Sequence, residues 1–104
     1  MILIPLFHSC SPTSTSPYAV NPKQFASCID VWERRGSWIS ADELHQRLSK
    51  GAVTSSRPLM HLHFDDAYRS VLEYALPLLR SRGIPATIFC PTALVGGELK
   101  GEAV

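Results

Sequence analysis

At 104 residues, with 45% hydrophobic and 18% charged residues, the sequence describes one soluble globular unit with room for a single small core. A formal net charge of +1 gives no reason to invoke nucleic acid or a membrane surface as partner. The three cysteines, Cys10, Cys28 and Cys90, are odd in number and widely spaced, so neither a disulfide framework nor a structural zinc site is expected, and they read as small buried hydrophobes.

Along the chain, Ile2 to Phe7 is a continuous apolar run that suits a strand buried on both faces, as in a parallel sheet. The run is too short to span a membrane and lacks the charged leader of a secretory signal, so export is unsupported and the location, otherwise unread, is cytoplasmic by default. His8 ends this strand, either as a surface loop histidine or as one lining a pocket at the strand ends. Ser9 to Pro17 is rich in Ser, Thr and Pro and reads as a loop, with residues 9–20 connecting to the next element. Asn21-Pro22-Lys23-Gln24 opens a helix with a capping box and Pro at its first position. Phe25, Cys28, Ile29 and Trp32 then share one stripe, and Gly36 is placed to stop the helix. Trp38-Ile39 reads as a short strand. Ser40 to Glu43 is a second capping box, for a helix with Leu44 and Leu48 inward, His45 solvated and Gly51 past its end.

After a polar loop over Ala52 to Arg57, Pro58 leads into a strand from Leu59 to Phe64 that runs straight into Asp65 and Asp66. Val71, Leu72, Ala75, Leu78 and Leu79 make the apolar face of the following helix, Pro77 should kink it, and Gly83 stops it. Ala86 to Cys90 reads as the next parallel strand, adjacent to the one before it, with Pro91 ending it. The tail from Val95 to Val104 carries no strong pattern and is expected to be disordered. This order of elements, without an internal repeat, gives an α/β class with parallel strands and crossover helices.

The chemistry concentrates at the acidic pair. In open α/β sheets and barrels the carboxyl ends of the strands face the ligand crevice, so Asp65 and Asp66 are available there for metal or proton chemistry. The bland reading is that they only cap the following helix, for which Asp is a preferred residue.

His63-Phe64-Asp65-Asp66-Ala67-Tyr68-Arg69-Ser70, with Tyr74 to Leu79 and Gly83 to Phe89 after it, resembles the polysaccharide deacetylase family of NodB-homology carbohydrate esterases. That family's first motif reads Thr-Phe-Asp-Asp-Gly. The resemblance extends upstream to Ile2 to His8, similar to an opening strand that often ends in Tyr-His, and to Phe25 through Leu48. It implies the N-terminal part of a deformed (β/α) barrel, since a whole barrel needs roughly 200 residues or more. The chain is then a single partial domain over residues 1–104. It also implies a divalent metal, zinc, with Asp65 as catalytic base and Asp66 as metal ligand, in an enzyme hydrolysing carbon–nitrogen bonds of an acetylated carbohydrate substrate. His8, His63 and Tyr68 would line the pocket.

Two residues depart from the family pattern: His63 replaces the usual Thr, and Ala67 the usual Gly. Alanine is harmless with ordinary helical angles, but if position 67 needs a positive φ the acidic pair should be displaced. The family's remaining ligands come from a later His-x-x-x-His, and its catalytic acid histidine from a later motif. The four histidines, His8, His45, His61 and His63, contain no such pair. The expectation is therefore weak metal binding and little turnover, with an open sheet edge that drives self-association or awaits the rest of the barrel.

Two other readings stand beside this one. His61-x-His63 on a strand would share a face with Asp65 and resembles the first metal motif of amidohydrolase and PHP-type hydrolases, while a buried core role for His61 fits the strand at least as well. A non-catalytic α/β binding module, such as a receiver-like domain, fits the length, but Asp30 and Asp42 fall in helical patterns where such a module needs strand-end acids.

Overall fold

A computed structural model describes residues 1–92, and the tail from Val95 onward lies outside the described residues. In chain order the elements are strands β1 (Ile2–Leu3), β2 (Leu6–Phe7), β3 (Ser9–Cys10) and β4 (Ala19–Val20), helix α1 (Pro22–Arg35), β5 (Ser37–Trp38), α2 (Ala41–Lys50), β6 (Leu59–Met60), β7 (Leu62–Asp65), a π-helical turn (Val71–Ala75) running into α3 (Leu76–Arg82), and β8 (Ala86–Phe89).

The helix ends follow their local chemistry. Asn21 Oδ1 accepts from the Gln24 N–H at 2.8 Å and Gln24 Oε1 from the Asn21 N–H at 3.0 Å, which completes the capping box of α1. At α2 only half of the expected box forms. Ser40 Oγ accepts from the Glu43 N–H, while the Glu43 carboxylate turns to Arg47, one turn ahead, at 3.0 Å. Gly51 and Gly83 close α2 and α3 in the left-handed region with φ of 68° and 65°. Pro77 interrupts its helix as expected. It has no N–H to continue the α ladder, and just before it the Leu76 N–H reaches back five residues to the Val71 carbonyl.

All the strand pairs are parallel. β1 and β2 lie along β6 and β7, with Leu3 beside Met60, Leu6 beside His63 and Phe7 beside Phe64. The other edge of this central strand is divided: β5 pairs with β6, and β8 pairs with β7 from Leu62–Ala86 to Asp65–Phe89. The expected adjacency of the two motif-bearing strands therefore holds, with a helix as crossover. Two expected continuous strands are broken. The first breaks at Ile4-Pro5, where proline has no N–H for a ladder. The central one breaks at His61, where its neighbour changes from β5 to β8.

Alternation along the strands separates two faces. One packs Leu62 and Phe64 with Phe25, Ile29, Val71, Ala75, Leu79, Ile84 and Cys10. Phe7 joins it edge-on to Phe25, with ring centroids 5.1 Å apart. A second cluster joins Ile39, Leu44 and Leu59. The other face carries Leu6, His63, Asp65, Thr87 and Phe89 in register.

Several expectations are corrected by this packing. The first strand is not buried on both faces, for Leu6 is 51% exposed on an edge strand. Leu48 is 56% exposed, because the small cluster under α2 reaches only its first turn. Leu72 is exposed as well, since the buried face recurs every four residues at Val71, Ala75 and Leu79. Residues 9–20 are not only loop, as β3 and β4 bridge its ends. Of the cysteines only Cys10 is buried; Cys28 is half-buried and Cys90 exposed. Among the described residues no helix is long and apolar enough to cross a membrane.

Gly36 ends α1 for a reason other than the one expected. Its φ of −155° is ordinary extended backbone, but a Cβ there would sit 2.5 Å from the Pro58 carbonyl oxygen, which accepts from the Ser37 N–H at 2.9 Å. The absent side chain lets β5 reach the central strand. Gly36→Ala is therefore expected to cost about 1–3 kcal/mol of stability, the range of overpacked positions, as read from a denaturant titration.

Candidate active site

Asp65 is the last residue of β7, so the ladder that pairs it with Phe89 also fixes its height at the carboxyl end of the sheet. The neighbouring strand β2 ends at Phe7, level with Phe64 and one residue short of Asp65, which places His8 across from Asp65. His8 Nε2 and Asp65 Oδ2 are 3.9 Å apart, both side chains about one-third exposed. The sheet thus brings together a carboxylate and an imidazole that lie 57 positions apart in sequence.

Beyond Asp65 the chain makes a turn of unusual conformation. Asp66 and Ala67 both have positive φ, 71° and 53°, and helical backbone starts at Arg69. An N-cap residue has extended backbone, so Asp66 does not hold that position. The turn projects Asp66, half-buried, from the end of the central strand. Position 67 thus takes the conformation that glycine would adopt freely, and alanine carries the Cβ penalty. Asp65, just before the turn, keeps its ladder partner Phe89.

His61 and His63 do share a face with Asp65, their rings meeting edge-on at 5.2 Å. Their roles differ. His61 is 1% exposed, and both ring nitrogens are engaged, Nδ1 with the Ile39 carbonyl and Nε2 with Thr87 Oγ1, each at 2.7 Å. A carbonyl only accepts, so Nδ1 carries a hydrogen and, in the neutral ring, Nε2 accepts from the Thr87 hydroxyl. That leaves His61 no lone pair for a metal and makes it a structural residue. His63 packs against Phe89, ring centroids 5.0 Å apart. Burial, aided by the neighbouring His61, lowers its pKa below the usual histidine value, and Asp65 only partly opposes this.

Tyr68 packs onto the main apolar cluster at the start of the helix. The Tyr18 ring lies 5.6 Å from that of His8, a contact with no sequence signal because the Ser/Thr-rich stretch before it shows no period. Burial pushes the Cys10 thiol up to about 11, which leaves it unsuited to nucleophilic chemistry. The carboxylate of Asp66 is a donor that suits zinc. Even so, among the described residues no three His, Cys, Asp or Glu side chains gather as a ligand set, so these residues alone do not complete a metal site.

No protein-family model matches the sequence, and no curated protein does. Solved structures do match in fold. The chain is similar to IcaB from Ammonifex degensii, with 28% identity and a TM-score of 0.82, over 96% of this chain and 42% of that one. It is similar also to the Streptococcus pyogenes deacetylase PplD, solved in complex with acetate, at 23% identity and a TM-score of 0.76 over 91% of this chain and 44% of that one. A de-N-acetylase from Aggregatibacter actinomycetemcomitans matches at 16% identity and a TM-score of 0.65, over 84% and 36%. The chain thus spans less than half the length of these relatives.

Two measurements check the site. Ala67→Gly should raise stability by about 1 kcal/mol by relieving the left-handed Cβ penalty, and a thermal melt that falls instead would contradict the turn. Because the folded pKa of His63 lies below its unfolded value, the unfolded chain binds the proton more readily. Stability should therefore be full above the usual histidine pKa, fall as pH drops through it, and level off below the folded value, and His63→Gln should flatten that slope in melts from pH 8 to pH 5, a span of about three units around the titration. Joined to the parallel strands, the crossover helix and the acidic pair at the strand end, these likenesses make the chain similar in fold to the N-terminal portion of the NodB-type polysaccharide deacetylases.

Proposed function

We propose that this chain supplies acid–base groups for hydrolysis of the N-acetyl group of an acetylated sugar or polysaccharide. The observation that carries this reading is the facing of His8 and Asp65 at the ends of neighbouring parallel strands, 3.9 Å apart, in a deacetylase-like fold. Asp65 takes a proton from the attacking water, and the oxygen bonds to the acetyl carbon. The carbon–nitrogen bond then breaks, and His8 is placed to protonate the leaving amine, giving acetate and the free amino sugar. His8 thereby holds the acid role that the resemblance assigned to a later segment. Asp66 offers one carboxylate to a divalent metal, zinc, whose other ligands come from outside the described residues. No step above is routed through it. The amidohydrolase-like reading loses support because His61 spends both nitrogens on Ile39 and Thr87. The exposed Leu6 and Phe89 on the site face also fit a sheet that further chain covers.

The whole protein should release acetate from N-acetylglucosamine oligosaccharides. Asp65→Asn and His8→Ala are each expected to lower kcat about 10²–10⁴-fold, the usual worth of a positioned acid or base, with metal content unchanged. Asp66→Ala should lose metal. If both aspartate variants instead kept metal and activity and lost only about 0.5–2 kcal/mol of stability, their role would be to shape the turn after β7 and not catalysis.

A further inference from the structure

An aromatic ring projects from the loop beside the site, and neither the fold nor the proposed acid–base step uses it. Tyr18 is 71% exposed, yet its backbone is held by a relay of short-range hydrogen bonds. Ser11 Oγ accepts from the Thr13 and Ser14 N–H groups, Ser14 Oγ from the Ser16 N–H, and Ser16 Oγ from the Tyr18 N–H, all between 3.1 and 3.2 Å. The loop ends are pinned by the β3–β4 ladder, and the Cys10 N–H donates to Ser70 Oγ at 3.1 Å. Such Ser and Thr turns give a loop without regular structure a defined course. The ring at its end leans on His8 at 48°, and His8 lies against Asp65. Tyr18 is therefore fixed at the lip of the site with most of its surface open to water.

A large apolar ring exposed on an ordered loop has little to gain from folding, but it matches one kind of ligand. A pyranose with equatorial substituents shows a flat face of C–H groups, and the negative face of an aromatic ring attracts such polarised hydrogens. We propose that Tyr18 is a stacking platform that positions a pyranose of an N-acetylated glycan next to His8 and Asp65. This rests on the deacetylase reading and adds the residue that grips the sugar.

The test measures binding and turnover separately, with an N-acetylglucosamine tetramer as probe and the whole protein. Tyr18→Ala should weaken tetramer binding about three- to tenfold, the worth of one aromatic contact, and raise KM in step while kcat stays within about twofold. Tyr18→Phe and Tyr18→Trp should bind like the wild type, and the melting temperature of Tyr18→Ala should not move, because the side chain packs on so little. Equal binding by wild type and Tyr18→Ala would overturn the platform and leave the deacetylase reading intact. Binding that depends on Tyr18 without any acetate release would keep the platform and defeat that reading. Failure of the wild type to bind the tetramer would overturn the platform outright.

Discussion

The structure depends on one buried imidazole at the point where the central strand changes partners. The edge of β6–β7 is served first by β5 and then by β8, and the two neighbours do not pair with each other. His61 sits at the changeover and ties both sides, one ring nitrogen to Ile39 just past β5 and the other to Thr87 within β8. A buried polar group is costly unless it is bonded, so this geometry favours one arrangement of the two strands over a slipped one. The register it protects is the register that sets Asp65 beside Phe89 and opposite His8.

From that register the chemistry follows. Parallel strands end on one side, so an imidazole and a carboxylate from distant parts of the chain meet without a dedicated loop. The cost appears one residue later. Two successive positive-φ residues turn the chain away from the sheet, and one of them is an alanine. Strain of this kind persists where the surroundings over-determine the backbone, and here β7 on one side and the helix packed by Val71, Ala75 and Leu79 on the other do so.

Much of this was legible in the sequence. The capping residues Asn21 and Ser40, the stops at Gly51 and Gly83 and the interruption at Pro77 follow from local chemistry that acts within a few residues, and the parallel pair around Asp65 from the strand–helix–strand order. What escaped depends on contacts between distant segments. Leu48 and Leu72 carry the helical period yet stay outside cores too small to reach them. Gly36 is required by Pro58, 22 positions away, and not by its own φ. His61 and His63 read as equivalent members of one motif until Ile39 and Thr87 take the nitrogens of the first. The pairing of His8 with Asp65 was visible only as a shared strand end, and Tyr18 not at all.

If Asp65 and His8 act as proposed, water attacks an acetyl carbon and not a glycosidic one. Nuclear magnetic resonance of an N-acetylglucosamine oligosaccharide carrying a ¹³C-labelled acetyl carbonyl, incubated with the whole protein, follows both bonds at once. The account predicts a growing signal of free labelled acetate with the sugar chain unchanged in length. Shortened oligosaccharides that keep their acetyl groups, or labelled carbonyl that stays on the sugar throughout, would contradict it.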